Sequence, residues 1–387
     1  MHIMIAQRLI ALLMLLCSIS AVIGAETQPI ALRIATFNVE DVRSSDLEGA
    51  DNERLRSIAA IIQRLRPNIL LLNEIAVHQG DGPSNAEKFV YNYLAVSQGD
   101  GLQPIRFDTY TPPTNTGVHS GFDLDNSGTV GPSVPEQTGS EQTPEQRAYG
   151  NDCFGFGTFP GQYGMVLLVH PKLRIMEDDI RTFQKFLWKD LPGHIAPTHE
   201  DGTPWYSGEE WDAMRLASKN FADVPIELPN GTVIHALISH PTPPAFDGPE
   251  RRNVLRNHDE IKLIRAYIDN ETALYDDTGK AGGLEPGAHF VVLGDLNADP
   301  SEGNSVEMTV FTQLFSSDRL ADDVHPGSTA RVDDLDRTDT ARFGLRVDYV
   351  LPSSGITVTD AGVWRDPGDA GVFPSDHFPV WIEVIVP

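Results

Sequence analysis

Eight polar residues stand at the ends of apolar runs: Asn38, Glu74, His240, Asp295, Asn297, Asp348, Asp376 and His377. Carboxylates, amides and imidazoles without a thiolate form an oxygen-rich set. Such a set prefers a hard divalent cation, Mg²⁺ or Mn²⁺, to the cysteine-bound zinc of structural sites. These cations take one or two carboxylates and leave the rest of their shell to water and phosphate oxygens, so the remaining acids and histidines are free to move protons and orient a nucleophile. Asp295 and Asn297 lie two apart in an extended segment and point to one side. One can activate a water while the other holds it. A cation and imidazoles beside them would offset the charge that builds on a phosphoryl group in transfer.

Each of these residues needs an element to place it. Residues 31–38 (ALRIATFN) form a continuous apolar strand ending at Asn38. Leu55, Ile58, Ala59, Ile62 and Leu65 then recur at helical spacing until Pro67, and residues 69–72 (ILLL) make a second buried strand ending at Asn73 and Glu74. A right-handed crossover makes the two strands parallel, so Asn38 and Glu74 emerge at one end. The pattern repeats: residues 232–239 (TVIHALIS) lead to His240, Ile261, Leu263, Ile264, Tyr267 and Ile268 mark a helix, and residues 289–294 (HFVVLG) lead to Asp295. Residues 346–353 and 373–386 supply two further strands of β-branched or alternating character. Packed face to face, two such units bring all the tips to one rim, where open sheets bind ligands. Inserts at about 78–160 and 184–224 interrupt the pattern; the second carries Trp188, Trp205 and Trp211, which form a small core or a wall of the cleft.

The chain has 387 residues, 40% of them hydrophobic and 22% charged, which is the composition of a folded domain and excludes disorder. Residues 1–25 carry Arg8, an apolar stretch and then Gly24 and Ala25, the pattern of a cleaved secretory signal that is too short for a stable membrane anchor. The mature domain, 26–387, is therefore expected to be secreted or periplasmic. Losing Cys17 with the signal leaves Cys153 alone, a buried small hydrophobe with no disulfide partner. A net charge of −26 excludes a long basic groove for nucleic acid. It leaves room for a local phosphate-binding patch at Arg251, Arg252 and Arg256. Asn257 is expected to cap a helix, with His258 as a substrate contact.

Residues 123–131 (DLDNSGTVG) match the first half of a calcium loop at Asp123, Asp125, Ser127 and Gly128, but position twelve is Val134 rather than glutamate. Two readings stay open: a structural Ca²⁺ site completed by Asp152 or Glu136, and a plain Asx-rich turn.

In order along the chain, TFNVE (36–40), NEI (73–75), SHPTPP (239–244), GDLNADP (294–300), RVDYV (346–350) and SDHFPV (375–380) resemble the endonuclease/exonuclease/phosphatase superfamily of deoxyribonuclease I, exonuclease III, bacterial sphingomyelinase and inositol polyphosphate phosphatases. Each motif alone is weak; six in order carry the resemblance. It implies an α+β fold, a four-layer α/β/β/α sandwich with two packed β-sheets and helices outside. It also implies that Glu74 is the principal metal ligand with Asn38 and Asp376 near it, that Asp295 activates or orients the water and Asn297 holds it, that His377 contacts the scissile phosphate and is oriented by Asp348, and that His240 protonates the leaving group. In deoxyribonuclease I a glutamate on a preceding strand supports that histidine; residues 161–168 (GQYGMVLL) lack it here. The implied function is a secreted, metal-dependent phosphoesterase that hydrolyses a phosphodiester. Its substrate is a nucleic acid or, alternatively, a small organic phosphate or lipid head group. A non-catalytic, calcium-stabilised module would have lost some of these residues, and none is missing.

Overall fold

The computed structural model describes residues 28–132, 142–321, 324–332, 334–368 and 371–387. The expected signal segment, Val134 and Glu136 lie outside the described residues. The apolar runs become strands of two mixed sheets. Strands β1 (Ile30–Val42), β2 (Ile69–Ile75), β3 (Asp108–Tyr110) and β4 (Met165–Val169) open the first sheet. The second contains β5 (Arg174–Ile175), β6 (Arg181–Thr182), β7 (Phe221–Glu227), β8 (Val233–Ser239), β9 (His289–Asp295) and β10 (Asp348–Pro352); β11 (Thr357–Val363) and β12 (Val380–Val386) then return to the first. The orders are β11-β12-β1-β2-β4-β3 and β10-β9-β8-β7-β5, with β6 on β7. Helices α1 (Glu53–Leu65), α2 (Asn85–Phe89), α3 (Pro144–Asn151), α4 (Gly208–Ala213) and α5 (Arg252–Ile268) complete the α+β arrangement.

Both expected crossovers are present. β1 and β2 pair in parallel with Asn38 opposite Asn73, and β8 and β9 pair in parallel with Ile238 opposite Leu293. The period of two sorts the side chains of β9 into two cores. Val291 and Leu293 join Leu71 and Ile382 between the sheets, whereas Phe290 and Val292 join Trp188 of the second insert and Tyr267 of α5. Trp205 and Trp211 pack against that second core, so the insert is fastened to the outer side of the second sheet by its tryptophans.

Three boundaries differ from the sequence expectation. β1 continues past Asn38 to Val42 because its register shifts there, with Glu40 and Asp41 in the left-handed region. β12 starts only at Val380, since Pro374 and Pro379 bracket Ser375–Phe378 and cannot donate to a ladder, so the SDH motif sits in a loop rather than on a strand. The second insert ends where β7 begins at Phe221, four residues early.

Candidate active site

Glycine 294 sets the central distance. A Cβ there would lie 1.8 Å from the Ser239 carbonyl oxygen, so only glycine lets the ends of β8 and β9 approach this closely. The residues just beyond, His240 and Asp295, are thereby brought together, with Nε2 3.4 Å from Oδ2. The first sheet supplies the other side. Asn38 at the bulge of β1 donates through Nδ2 both to Oε1 of Glu74 at 3.1 Å and to Oδ2 of Asp295 at 3.0 Å. Glu74, at φ 72°, also accepts from the Asp41 backbone at 3.0 Å, and its Oε1 lies 3.9 Å from His240 Nε2. Left-handed conformations at Glu40, Asp41, Glu74 and Asn297 concentrate backbone strain at this rim.

The loop ahead of β12 completes the ring. His377 pairs through Nδ1 with Asp348 Oδ2 at 2.9 Å, and its Nε2 lies 3.8 Å from Asp295 Oδ2. Asn297 donates its backbone N–H to Asp295 Oδ1 at 2.9 Å and its amide to the Pro241 carbonyl at 3.2 Å. Asp376 lines the same cleft as Glu74, His240, Asp295, Asn297 and His377. All eight residues singled out in the sequence therefore meet at one place.

The electrostatics follow from that crowding. Burial alone would raise the Asp295 carboxyl, but His377, His240 and the Asn38 amide hold it well below the usual range. Burial likewise opposes charge on His377, yet Asp348 and Asp295 hold its imidazole well above its ordinary value. Burial and the charge of Lys219 push His240 down. Asp376 is raised by burial and by Glu74, and Glu40 by burial and by Asp376. Carboxylates repelling one another across an oxygen-rich rim suit a hard divalent cation, which Glu74 and Asp376 could hold; Asn38 stands beside them with its amide oxygen accepting the Glu40 N–H. Asp295, Asp348 and His377 also place one ligand atom each within 4.8 Å of one another, and the buried Asp348 Oδ1 has no hydrogen-bond partner among the described residues. The donor set fits such an ion.

His240 departs from the family pattern as the sequence implied. Its buried Nδ1 has no partner among the described residues. Gln162, in the stretch that lacks the glutamate, donates instead to Asp41 Oδ1 and accepts from Thr158. Three features of the site leave no trace of their role in the sequence: the bulge of β1, a buried lysine and a buried asparagine. Glu40 and Asp41 come from the bulge, and Lys219, fully buried with Nζ 3.3 Å from the Pro241 carbonyl, precedes β7 where a lysine reads as a solvated flank. Asn257 is the third; α5 begins five residues before it, and its amide ties the Thr242 and Leu296 carbonyls together beneath the site rather than capping the helix.

The arginines separate. Arg252 lines the cleft and donates to the Leu124 carbonyl. Arg256 also lines the cleft, but it is buried and its guanidinium donates to the carbonyls of Leu216, Phe154 and Arg215, which fastens both inserts to α5. Arg251 is exposed at the helix N-cap and does not line the cleft. His258 is likewise outside it, paired with Asp259, whose other oxygen takes the Trp188 indole at 2.6 Å.

Asp123, Asp125 and Asp152 converge, with one oxygen each within 4.8 Å of the others. The same carboxylates accept backbone N–H groups of Ser127, Gly128, Leu124 and Gly131, so the loop is also an Asx turn satisfied by its own chain. Cys153 beside it is buried, and burial pushes its thiol up to about 12. Among the described residues no helix is long and apolar enough to cross a membrane.

The model of the Endonuclease/Exonuclease/phosphatase family matches residues 35–377. The chain belongs to that family. Three solved structures are similar to the chain at low sequence identity. An endonuclease/exonuclease/phosphatase from Beutenbergia cavernae DSM 12333 is 16% identical, with a TM-score of 0.49, over 92% of this chain and 72% of its own. A humanized D. rerio TDP2 is 10% identical, with a TM-score of 0.48, over 92% of this chain and 98% of its own. The human Nocturnin catalytic domain is 15% identical, with a TM-score of 0.45, over 92% of this chain and 98% of its own. No curated protein matches the chain in sequence. Family membership makes the protein a phosphoester hydrolase of the metal-dependent kind.

Proposed function

We propose that this family member is an exported hydrolase that cleaves a phosphodiester by in-line attack of an oriented water. The observation that carries this reading is Asp295 Oδ2, with Asn38, His240 and His377 directed at it from three separate parts of the chain. Held ionised, Asp295 accepts a hydrogen from the attacking water and aligns it, and the Asn297 amide beside it fixes the oxygen. The His377 imidazolium, its Nδ1 committed to Asp348, turns Nε2–H toward the phosphoryl oxygens and offsets the charge that gathers there. A divalent cation held by Glu74 and Asp376 would add Lewis-acid stabilisation of the same oxygens. His240, whose Nε2 faces Asp295 and Glu74, is in place for the leaving-group side.

A second reading, hydrolysis of small organic phosphoesters rather than long nucleic acid, is favoured by two observations. The chain carries −26 charges, and Leu124, Tyr206 and Met214 of the inserts wall a cleft of about 750 Å³ around the site. Chelator-treated protein should be inactive and regain turnover with Mg²⁺ or Mn²⁺ toward bis-p-nitrophenyl phosphate, p-nitrophenyl phosphate, plasmid DNA or RNA. Failure on all four removes the proposal. Added salt separates the readings, because duplex cleavage through phosphate contacts falls steeply with salt while small-ester cleavage does not.

A further inference from the structure

Three phenylalanines line the catalytic cleft and are solvent-exposed among the described residues: Phe156 at 39%, Phe343 at 55% and Phe246 at 90%. Apolar rings left in water at an active-site mouth oppose solubility unless they meet a partner. Each is also held in place. Phe246 sits at φ 61°, a conformation a bulky residue rarely adopts. Its neighbours on both sides are pinned: the Asn253 amide donates to the Ala245 carbonyl at 2.8 Å, and the Asp247 carboxylate accepts the Asn253 and Val254 backbone N–H groups at 2.8 and 2.9 Å. The chain is thus fixed so that the ring projects. Phe343 stands edge-on to the imidazole of His377, with centroids 5.5 Å apart and planes at 80°, directly beside the group that faces the phosphate. Phe156 lies over Gly150, where a Cβ would come within 2.8 Å of its ring.

We infer that these rings form a nucleobase subsite, so that the substrate carries an unpaired planar base on the organic group of the scissile phosphoester. The inference rests on the phosphoesterase reading and narrows its substrate class. Cations in the same cleft, Lys219, Arg147, Arg252 and Arg256, suit a ligand that is anionic at one end and aromatic at the other. A lipid surface would also meet exposed phenylalanines. A chain carrying −26 charges, however, is repelled by anionic bilayers, and the rings border a cleft rather than an apolar helix face. Base stacking tolerates any base and, by alanine substitution, carries an affinity factor of about five- to a hundred-fold per base.

The test uses two phosphodiesters with the same leaving group, a thymidine p-nitrophenyl phosphodiester and methyl p-nitrophenyl phosphate, hydrolysed by the full protein with Mn²⁺ or Mg²⁺. Wild type should prefer the nucleoside ester at least about tenfold in kcat/KM, mainly through KM. Phe343→Ala and Phe246→Ala should each lower that preference about fivefold or more, and Phe343→Trp should keep it. A purely structural role would lower both rates together and leave the ratio intact. A wild-type ratio near one, a ratio unmoved in the alanine variants, or preferential cleavage of phosphatidylglycerol vesicles overturns the inference while leaving a phosphoesterase in place. Should neither ester turn over, nor any of the four substrates named above, the phosphoesterase reading falls. Calorimetry on Asp295→Asn then still decides the subsite: thymidine monophosphate binding at least about fivefold tighter than inorganic phosphate supports it, and equal affinities refute it.

Discussion

Replacing Gly294 by alanine probes the approach of β8 to β9 on which the site depends. The added Cβ starts 1.8 Å from the Ser239 carbonyl oxygen, and real contacts of this kind do not fall below 3.0 Å, so the two strand ends must part by 1.2 Å. The neighbouring side chains, His240 and Asp295, are 3.4 Å apart in the native geometry and would move beyond hydrogen-bond reach. Misplacement of reacting groups by this amount costs about 10²-fold in rate, or roughly 2.7 kcal/mol of transition-state stabilisation. Overpacking adds a stability loss of about 1–3 kcal/mol, so the variant should still fold. Turnover of bis-p-nitrophenyl phosphate with Mn²⁺, read alongside a urea unfolding curve, measures both effects. Gly49→Ala, where nothing lies within 4 Å of the added carbon, is the control. A Gly294→Ala protein with wild-type turnover and an unshifted midpoint would refute the claim that strand approach builds the site.

Asp348→Asn should reduce turnover by about 10²- to 10⁴-fold, because His377 loses the carboxylate that orients it and keeps it charged. The same variant has a signature in stability. A raised folded pKa contributes stability that is fully present below the unfolded value, about 6.5, and is lost as pH rises through the folded one. Wild type should therefore weaken on the alkaline side, and Asp348→Asn should flatten that limb in urea titrations; an identical limb contradicts the assignment of charge to His377. Glu74→Gln should raise the Mg²⁺ or Mn²⁺ concentration needed for half-maximal rate, and Asp295→Asn should abolish turnover with an unchanged circular dichroism spectrum. Normal turnover in Asp295→Asn removes that residue from the reaction. Asp152→Asn replaces one of two buried oxygens that accept the Leu124 and Gly131 N–H groups, and should cost about 1–3 kcal/mol in urea unfolding; no shift would show that the turn does not depend on it.

What could be read before the structure was what local periodicity encodes. Apolar runs such as residues 69–72 and 289–294 announce buried strands, and the polar residues that end them announce a rim. The SDH loop was misjudged as strand because Phe373 and Phe378 continue the apolar pattern while the two prolines silently forbid the ladder. The roles of Lys219 and Asn257 escape the sequence for another reason. Their partners are backbone carbonyls of Pro241, Thr242 and Leu296, and no side-chain pattern records which carbonyl a fold will leave exposed. Arg256 shows that one side chain can serve two ends: it lines the cleft, as its closeness in sequence to His240 suggests, and its guanidinium also satisfies three carbonyls of the inserts, which no sequence pattern records. The aromatic rim was unreadable for the same reason, since Phe156, Phe246 and Phe343 come from three unrelated loops.

Strand β12 lies inside the first sheet, between β11 and β1, with Ile30 opposite Val386 and Thr36 opposite Val380. The loop that delivers His377 runs straight into it. His377 is thereby anchored by a strand that is paired on both sides, so any fraying of β12 from β1 or β11 would loosen its hold on Asp348 and carry it away from Asp295.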